Sequence, residues 1–287
     1  MSRIAYVNGR YVSHDQAHVH VEDRGYQFSD GVYEVAAVFG GRVIDEEPHL
    51  DRLERSLREL SMDLPIPRRA LKLVTREVLR RNRVRDGIVY LQVTRGAAAR
   101  DHPFPENSDG AVVLTARPMQ WPETAAADRG ADVVSIPDGR WGRCDVKSVS
   151  LLPNVLAKQA ARERDAYEAW FVDSEGRVTE GSSTNAWIVD NAGRVATRDL
   201  EANILGGITR QTVIRLAREA GVEVVERAFT LAEAKAAPEA FLTSTTSFVR
   251  SIVRIDGDPV GNGKPGPVTL RLRDLYLTYC RGGRANR

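Results

Sequence analysis

The chain has 287 residues, of which 42% are hydrophobic and 28% are charged, and its formal net charge is +2. This length exceeds a usual single domain and provides enough apolar residues for two medium-sized cores. Acidic and basic residues are spread along the chain, so there is no basic stripe for nucleic acid, and no apolar run is long enough to span a membrane. We therefore expect a soluble protein with neither of these partners.

The cysteine and histidine residues favour a reducing compartment and no metal site. Cys144 and Cys280 lie far apart in the sequence without the spacing of metal ligands, which favours a cytoplasmic protein without disulfides. His18 and His20 flank Val19 and could form a ligand pair, but this alternation is more typical of an exposed strand face. We predict no bound metal.

The first half of the chain predicts antiparallel strands followed by two helices. Asn8-Gly9 and Gly40-Gly41 each separate two short apolar runs, as in β-hairpins. Apolar residues recur at helical spacing across 48–60 and 68–79, so two helices should cover one face of the sheet. Further strands are predicted at 88–94 and 111–116.

The second half predicts short strands with helices grouped between them. Its strands are predicted at 131–136, 169–172, 186–189, 194–196, 222–225, 241–243 and 252–255, and its helices at 154–167 and 209–220. This order favours an α+β fold in two domains over a doubly wound nucleotide fold. We place a smaller domain at 1–118, a polar, proline-containing connection at 119–130 and a larger domain at 131–287.

Lys147 is the lysine whose position suggests chemistry. A lysine that forms a Schiff base must be neutral when it attacks, so it is expected on a rigid element and partly desolvated. Lys147 alternates with Asp145 and Arg143 on an apparent strand, where an inward-facing amine would need a partner or a covalent role. On spacing alone, an edge-strand surface lysine is the more common case. The other lysines lie at ordinary solvated positions: Lys72, Lys158, Lys235 and Lys264.

Three further segments carry groups suited to a phosphorylated pyridine ring. Glu180 precedes a turn of small residues and could pair with a ring nitrogen, although a glutamate there is usually only solvated. The stretch 206–209 leads into a predicted helix, whose first N–H groups suit an anion, and an ordinary N-cap is an equal alternative. The run 243–247 offers hydroxyl groups. Arg52, on a predicted helix, could add charge for a phosphate.

A proline-flanked loop carries a pair of groups suited to a carboxylate. Arg100 supplies a fixed cation, and His102 a titratable donor, one residue apart. The alternative is a surface loop with incidental charges.

Taken in order, these segments resemble the fold-type IV pyridoxal-phosphate aminotransferases, and within that group the D-amino-acid aminotransferases. The resemblance covers nearly the whole chain. Besides the segments with Lys147 and Glu180, it is carried by 29–34, 49–53, 92–96, 100–102, 206–210 and 243–247.

The resemblance implies a pyridoxal 5'-phosphate cofactor bound through a Schiff base to Lys147, which would also shuttle the substrate proton. Glu180 would partner the pyridine nitrogen. The remaining cofactor contacts that it implies are those of Arg52, Leu205, Ile208, Thr209, Ser244 and Thr245.

The resemblance also implies a trap for the substrate α-carboxylate, made of Tyr33, Arg100 and His102, with the last two reaching in from the other subunit of a homodimer. The implied reaction is a ping-pong transfer of the amino group from a D-amino acid such as D-alanine to a 2-oxo acid such as 2-oxoglutarate. A branched-chain L-amino-acid aminotransferase or an aminodeoxychorismate lyase is the alternative on the same fold, and the Arg100 and His102 pair argues against both. A non-enzymatic phosphate-binding module would leave Lys147 and Glu180 unexplained.

Overall fold

A computed structural model describes residues 3–122, 124, 128–200 and 203–282. They form two compact units. The first contains the described residues up to Trp121 together with Val146–Ser150, and the second contains the described residues of Pro122–Asp145 and those from Leu151 onward. Of the connection predicted at 119–130, residues 123 and 125–127 lie outside the described residues.

The described part of the first unit contains a six-stranded sheet in the order β2-β1-β6-β5-β3-β4, with every neighbouring pair antiparallel. Its elements are β1 (Ile4–Val7), β2 (Arg10–Ser13), α1 (Arg24–Phe28), β3 (Gly31–Phe39), β4 (Arg42–Val43), α2 (Glu46–Glu59), α3 (Arg68–Arg81), β5 (Gly87–Thr94) and β6 (Ala111–Pro118). The predicted hairpin at Asn8-Gly9 is confirmed, because both residues adopt the positive φ that a tight two-residue turn requires.

The core of this unit lies between the sheet and α2 and α3. Leu53 and Leu57 of α2, spaced about one helical turn apart, are almost fully buried, as are Leu71 and Val78 of α3. They pack in one hydrophobic cluster with side chains of β3, β5 and β6. Burial of each such side chain contributes roughly 1.5–3 kcal/mol, which fixes α2 against the sheet. The prediction that two helices cover one sheet face is confirmed.

The described part of the second unit contains a nine-stranded sheet in the order β12-β11-β10-β13-β14-β7-β8-β9, with β15 paired to β14. Its elements are β7 (Ala131–Pro137), α4 (Leu152–Arg162), β8 (Glu168–Val172), β9 (Val178–Gly181), β10 (Asn185–Val189), β11 (Val195–Thr197), α5 (Ile208–Glu219), β12 (Val224–Glu226), α6 (Leu231–Ala236), β13 (Glu239–Ser244), β14 (Phe248–Ile255), β15 (Asp258–Pro259) and α7 (Pro267–Cys280). The α+β class is as predicted. The second sheet is mixed, since β7 runs parallel to both β8 and β14, and β11 runs parallel to β12.

Two local predictions differ from the structure. The helix predicted to run to residue 167 ends at Arg162, and Asp165 beyond it adopts a left-handed φ of 54° that helix continuation does not allow. The strand predicted around Lys147 is absent. The segment Val146–Ser150 forms a loop with one isolated β-bridge, between Ser148 and Val32 of β3, and it groups with the first unit.

Candidate active site

Lys147 is held in place by its own backbone. Its carbonyl accepts a hydrogen bond from Tyr33 N at 3.0 Å, and its N–H donates to the hydroxyl of the fully buried Ser56 on α2 at 3.3 Å. Two residues on, Val149 N donates to the Gly31 carbonyl at 3.0 Å. The loop is therefore anchored to both β3 and α2, which gives a lysine outside regular structure a defined position.

The amine of Lys147 lies over an aromatic ring. Its Nζ is 4.1 Å from the centroid of Tyr33, a distance at which a cation is attracted by the ring face. Tyr33 in turn stacks on Tyr90 with ring centroids 5.8 Å apart. Burial, and to a lesser extent the neighbouring Tyr33, raises the pKa of Tyr90 to about 12, so its phenol stays neutral and donates a hydrogen bond to Gln92.

Arg52 is not solvated, although its position on a helix suggested that alternative. Its Nε and Nη2 donate to the two carboxylate oxygens of Glu34 at 2.7 and 2.8 Å, and His49 Nδ1 lies 2.7 Å from Glu34 Oε2. Burial alone would raise the pKa of Glu34, but the Arg52 charge and the hydrogen bonds from Arg52 and His49 lower it to about 2. The guanidinium is thereby fixed by a buried carboxylate on β3.

Arg100 and His102 are exposed and lie against one ring. The guanidinium carbon of Arg100 is 5.0 Å from the centroid of Phe28, and the rings of Phe28 and His102 are 5.5 Å apart. The structure thus brings these two side chains together. Tyr33 contacts a different pair of residues, Lys147 and Tyr90.

In the second unit, Glu180 is a buried residue near the end of β9, and only 6% of its surface is exposed. Its Oε2 accepts hydrogen bonds from Leu205 N at 3.1 Å and from Asn185 Nδ2 at 3.2 Å. Burial raises the pKa of Glu180 above its usual range, although the charge of Arg140 partly offsets this. A carboxylate fixed in this way is suited to an ion pair with a ring nitrogen.

Arg140 is a site residue that the sequence reasoning missed. It forms an ion pair with Glu180 Oε1 and also binds both carboxylate oxygens of Asp138. Burial lowers the pKa of Arg140, but hydrogen bonds with Asp138 and the Glu180 charge more than reverse this and raise it. The alternation of charge in Asp138-Gly139-Arg140 was the available signal, but nothing in it indicated burial.

The start of α5 has no side-chain cap. Gly207 occupies the N-cap position and supplies no side-chain cap, so the first N–H groups of the helix, beginning with Ile208 and Thr209, are not satisfied by a capping side chain. Asn185 binds the Leu205 carbonyl at 2.9 Å as well as Glu180, which ties the segment before the helix to the buried carboxylate. A Cβ on Gly207 would meet Asn185 Oδ1 at 2.1 Å, so this close approach requires glycine.

The remaining predicted residues of this unit lie in the turn between β13 and β14. Ser244 ends β13 and Thr245 begins the turn, where the Ser244 hydroxyl accepts a hydrogen bond from Ser247 N at 3.0 Å. Lys158, in contrast, has an ordinary structural role, since its amine donates to the Tyr167 carbonyl and lies 3.4 Å from the buried Glu168.

These donor sets fit the phosphorylated pyridine aldehyde that the sequence suggested. The first unit offers a positioned primary amine and a buried arginine. The second offers a buried carboxylate and an uncapped helix start, which match the charges of a protonated ring nitrogen and a phosphate. For the described residues, no group of three or more His, Cys, Asp or Glu is arranged to hold a metal ion, and His18 and His20 are exposed outside any strand.

No helix within the described ranges is both long and apolar enough to cross a membrane.

Comparison with known proteins identifies the family of the chain. The family described as Amino-transferase class IV matches residues 31–255. Among curated proteins, the chain is 40% identical over 266 residues to a D-alanine aminotransferase of Bacillus licheniformis, with 93% of each chain covered. It is also 36% identical over 276 residues to a D-alanine aminotransferase of Staphylococcus aureus (strain MSSA476), with 96% of each covered.

Two solved structures of the same fold are named as branched-chain aminotransferases, whereas the curated relatives are named as D-alanine aminotransferases. A branched-chain aminotransferase of the thermophilic archaeon Thermoproteus uzoniensis, with norvaline, superposes with a TM-score of 0.85 at 28% identity, covering 98% of this chain and 96% of that one. The branched-chain amino acid aminotransferase of Thermobaculum terrenum in its pyridoxal-phosphate form gives a TM-score of 0.84 at 26% identity, with 98% and 94% covered.

Proposed function

Because the chain belongs to the class IV aminotransferases, we propose that it transfers the amino group of a D-amino acid such as D-alanine to a 2-oxo acid such as 2-oxoglutarate. The family uses pyridoxal phosphate, and its aminotransferase activity excludes the non-enzymatic binding module. The observation that carries the D-amino-acid assignment is the loop with Arg100 and His102 on one aromatic ring, in a chain whose curated relatives are D-alanine aminotransferases.

Lys147 is the proposed catalytic residue. When bound, the cofactor supplies an electron sink that stabilises negative charge on the substrate α-carbon. The Lys147 amine would hold the cofactor covalently, and its Nζ would then carry the proton that leaves the α-carbon. The backbone anchors to Tyr33 and Ser56 support this role, because proton transfer requires a fixed distance and direction.

Glu180 would keep the ring nitrogen protonated. The carboxylate already accepts hydrogen bonds from Leu205 N and Asn185, which fix its orientation. Arg140 balances its charge in the buried site. A fixed ionic partner at the nitrogen strengthens the electron sink without reorganisation during the reaction.

The phosphate would be bound in part by the start of α5. The N–H groups of Ile208 and Thr209, and the Thr209 hydroxyl, supply donors at the positive end of the helix dipole. Ser244 and Thr245 would add hydroxyl groups, and Arg52 would add a positive charge oriented by Glu34. Leu205 would pack beside the ring.

The substrate carboxylate would bind Tyr33, Arg100 and His102. Fixing the carboxylate on one side decides which face of the α-carbon meets Lys147, and therefore which enantiomer loses its proton. This set carries the D-specificity of the proposal.

We further propose a cytoplasmic homodimer in which Arg100 and His102 serve the partner subunit. Apolar side chains at Leu152, Val155 and Leu156 of α4 are 68%, 59% and 62% exposed in the single chain, at the spacing of one helix face. Such a stripe is typical of an interface. Cys144 and Cys280 are not joined in a disulfide, as is usual in a reducing compartment.

The function is tested by product analysis. With D-alanine and 2-oxoglutarate, the pyridoxal-phosphate-loaded protein should form pyruvate and D-glutamate in equal amounts. Formation of L-glutamate, or no product from D-alanine, would contradict the assignment.

A second candidate, a branched-chain L-amino-acid aminotransferase, is favoured by the names of the fold neighbours. L-Leucine as the better amino donor in the same assay would select it. Release of pyruvate from a chorismate-derived amine, without amino-group transfer, would select the lyase.

A further inference from the structure

A buried ionic cluster lies directly behind the loop that carries Arg100 and His102. Arg24, the first residue of α1, is only 3% exposed, and its Nε donates to Asp30 Oδ2 at 2.9 Å. The N-cap residue Asp23 fixes the start of this short helix by accepting hydrogen bonds from Gly25 N and from the Thr94 hydroxyl. A buried arginine is costly unless its charge and donors are satisfied, so this placement needs an explanation.

The other two nitrogens of Arg24 bind the loop itself. Nη1 donates to the carbonyl oxygen of Asp101 at 2.6 Å, and Nη2 donates to that of His102 at 3.2 Å. The planar guanidinium thus holds two successive peptide groups at once, which a flexible ammonium group cannot do with the same geometry.

Asp30 connects this contact to a second arginine. Arg95 donates to both oxygens of Asp30 at 2.7 and 3.1 Å and to the carbonyls of Leu60 and Ser61 at the end of α2. Its guanidinium carbon also lies 3.7 Å from the ring centroid of Phe104. The loop is therefore held at two places by arginines that share one carboxylate.

Phe28 completes the arrangement at the other end of α1. Its ring lies against the guanidinium groups of Arg24 and Arg100, with distances of 4.8 and 5.0 Å to the centroid, and against the ring of His102. Arg24 fixes the backbone of the loop, and Phe28 fixes the direction of its two side chains.

We propose that Arg24, Asp30 and Phe28 are positioning residues that set substrate-carboxylate recognition, and hence enantiomer choice, by holding Arg100 and His102 in one geometry. None of the three touches the reacting atoms. The inference rests on the proposed function, since it assigns the specificity of that site to groups behind the loop.

The test compares Arg24→Lys and Phe28→Leu with wild type, using the holoenzyme and single-turnover absorbance changes. Arg24→Lys retains the charge but loses the double carbonyl contact. It should raise the D-alanine concentration that gives half the maximal rate roughly 10- to 100-fold, which is the range expected for loss of one or two charge-assisted hydrogen bonds. The maximal rate should stay within about 3-fold of the wild-type rate. Arg80→Lys, on the exposed face of α3, is the matched control and should match wild type.

An amine without a carboxylate, 2-aminobutane, separates positioning from general damage. Its reaction should be the same in wild type and both variants, while the preference for D- over L-alanine falls in both. Amide hydrogen exchange of residues 97–104, measured without cofactor, should be faster in Arg24→Lys than in wild type. In Arg80→Lys it should equal that of wild type.

The inference would be overturned if the variants lost reaction rate equally with D-alanine and with 2-aminobutane. It would also be overturned if D-alanine binding were unchanged in both variants. If Arg24→Lys does not fold, Phe28→Leu alone decides the outcome. A wild-type enzyme that rejects D-alanine would instead overturn the proposed function, and the same variants would then be compared with the amino acid that wild type accepts.

Discussion

Lys147 has a defined position although it lies outside every helix and strand. Its backbone hydrogen-bonds to Tyr33 and Ser56, and its amine lies on the ring of Tyr33. The sequence singled out this lysine by elimination and by resemblance, but predicted a strand for it. The alternation with Arg143 and Asp145 that suggested the strand reflects a local ion pair of 2.9 Å between those two residues.

Removal of the Lys147 amine should abolish catalysis. Lys147→Ala should lose the visible absorbance of the covalently bound cofactor and reduce turnover by at least roughly 10³-fold, because one residue supplies both the covalent link and the proton carrier. Absorbance spectra and steady-state rates measure this. Lys264→Ala, in an exposed turn, is the control and should behave as wild type. Comparable loss in both variants would refute the assignment.

At the scale of elements, β3 and α2 are joined by the ion pair of Glu34 and Arg52. The leucine spacing of α2 predicted the helix and its buried face, because apolar periodicity is a local property. The same pattern could not predict the partner of Arg52, since Glu34 lies 18 residues away and becomes its neighbour only when β3 packs under the helix. Arg140 was missed for the same reason.

Glu34 should make stability depend on pH. Its pKa in the folded chain is lowered to about 2 from an ordinary value of 4.5. The ionised Glu34 therefore stabilises the folded state fully above pH 4.5, and this stabilisation is lost as pH falls towards about 2. Glu34→Gln should cost about 3–5 kcal/mol at pH 7, since it leaves Arg52 buried without a counter-charge, and should flatten the acid dependence.

Urea unfolding of cofactor-free protein at several pH values measures this effect. Glu77→Gln is the control, because Glu77 pairs with Arg80 and Arg81 on the surface of α3, where solvent weakens the pairs. An acid dependence that persists in Glu34→Gln would contradict the role of this carboxylate.

The start of α5 allows a test with two adjacent glycines. A Cβ at Gly207 would displace Asn185, and with it the contacts to Glu180 and Leu205, whereas a Cβ at Gly206 would meet no atom closer than the Leu200 side chain, at an ordinary 3.6 Å. Gly207→Ala should therefore destabilise the cofactor-free protein by roughly 1–3 kcal/mol and weaken pyridoxal-phosphate binding. Gly206→Ala should retain wild-type stability. Melting temperatures and cofactor titration compare the two, and equal behaviour would contradict the close packing.

At the scale of the whole molecule, the proposed carboxylate site is one that two chains would share. Tyr33 contacts Lys147 and Tyr90, while Arg100 and His102 lie on Phe28, so Tyr33 has different neighbours from the other two proposed carboxylate-binding residues. The α+β class and the order of elements were predictable from local patterns. The parallel pairs of β7 were not, because such pairs are set by long-range packing.

Subunit mixing tests the dimer. Hybrids of Lys147→Ala and Arg100→Ala chains should regain a wild-type KM for D-alanine, because one site then combines an intact Lys147 with the Arg100 of the partner subunit. The Arg100→Ala homodimer should keep a KM raised by roughly 10-fold or more. Hybrids with the raised KM would place Arg100 in the site of its own chain.

The most direct test of the central claim is a half-reaction with one amino donor at a time. Purified protein loaded with pyridoxal phosphate is mixed with D-alanine or with L-leucine, and the conversion of the visible cofactor band to the aminated form is followed. We predict that D-alanine bleaches the band and L-leucine does not. Bleaching by L-leucine alone would contradict the D-amino-acid assignment and the role given to Arg100 and His102.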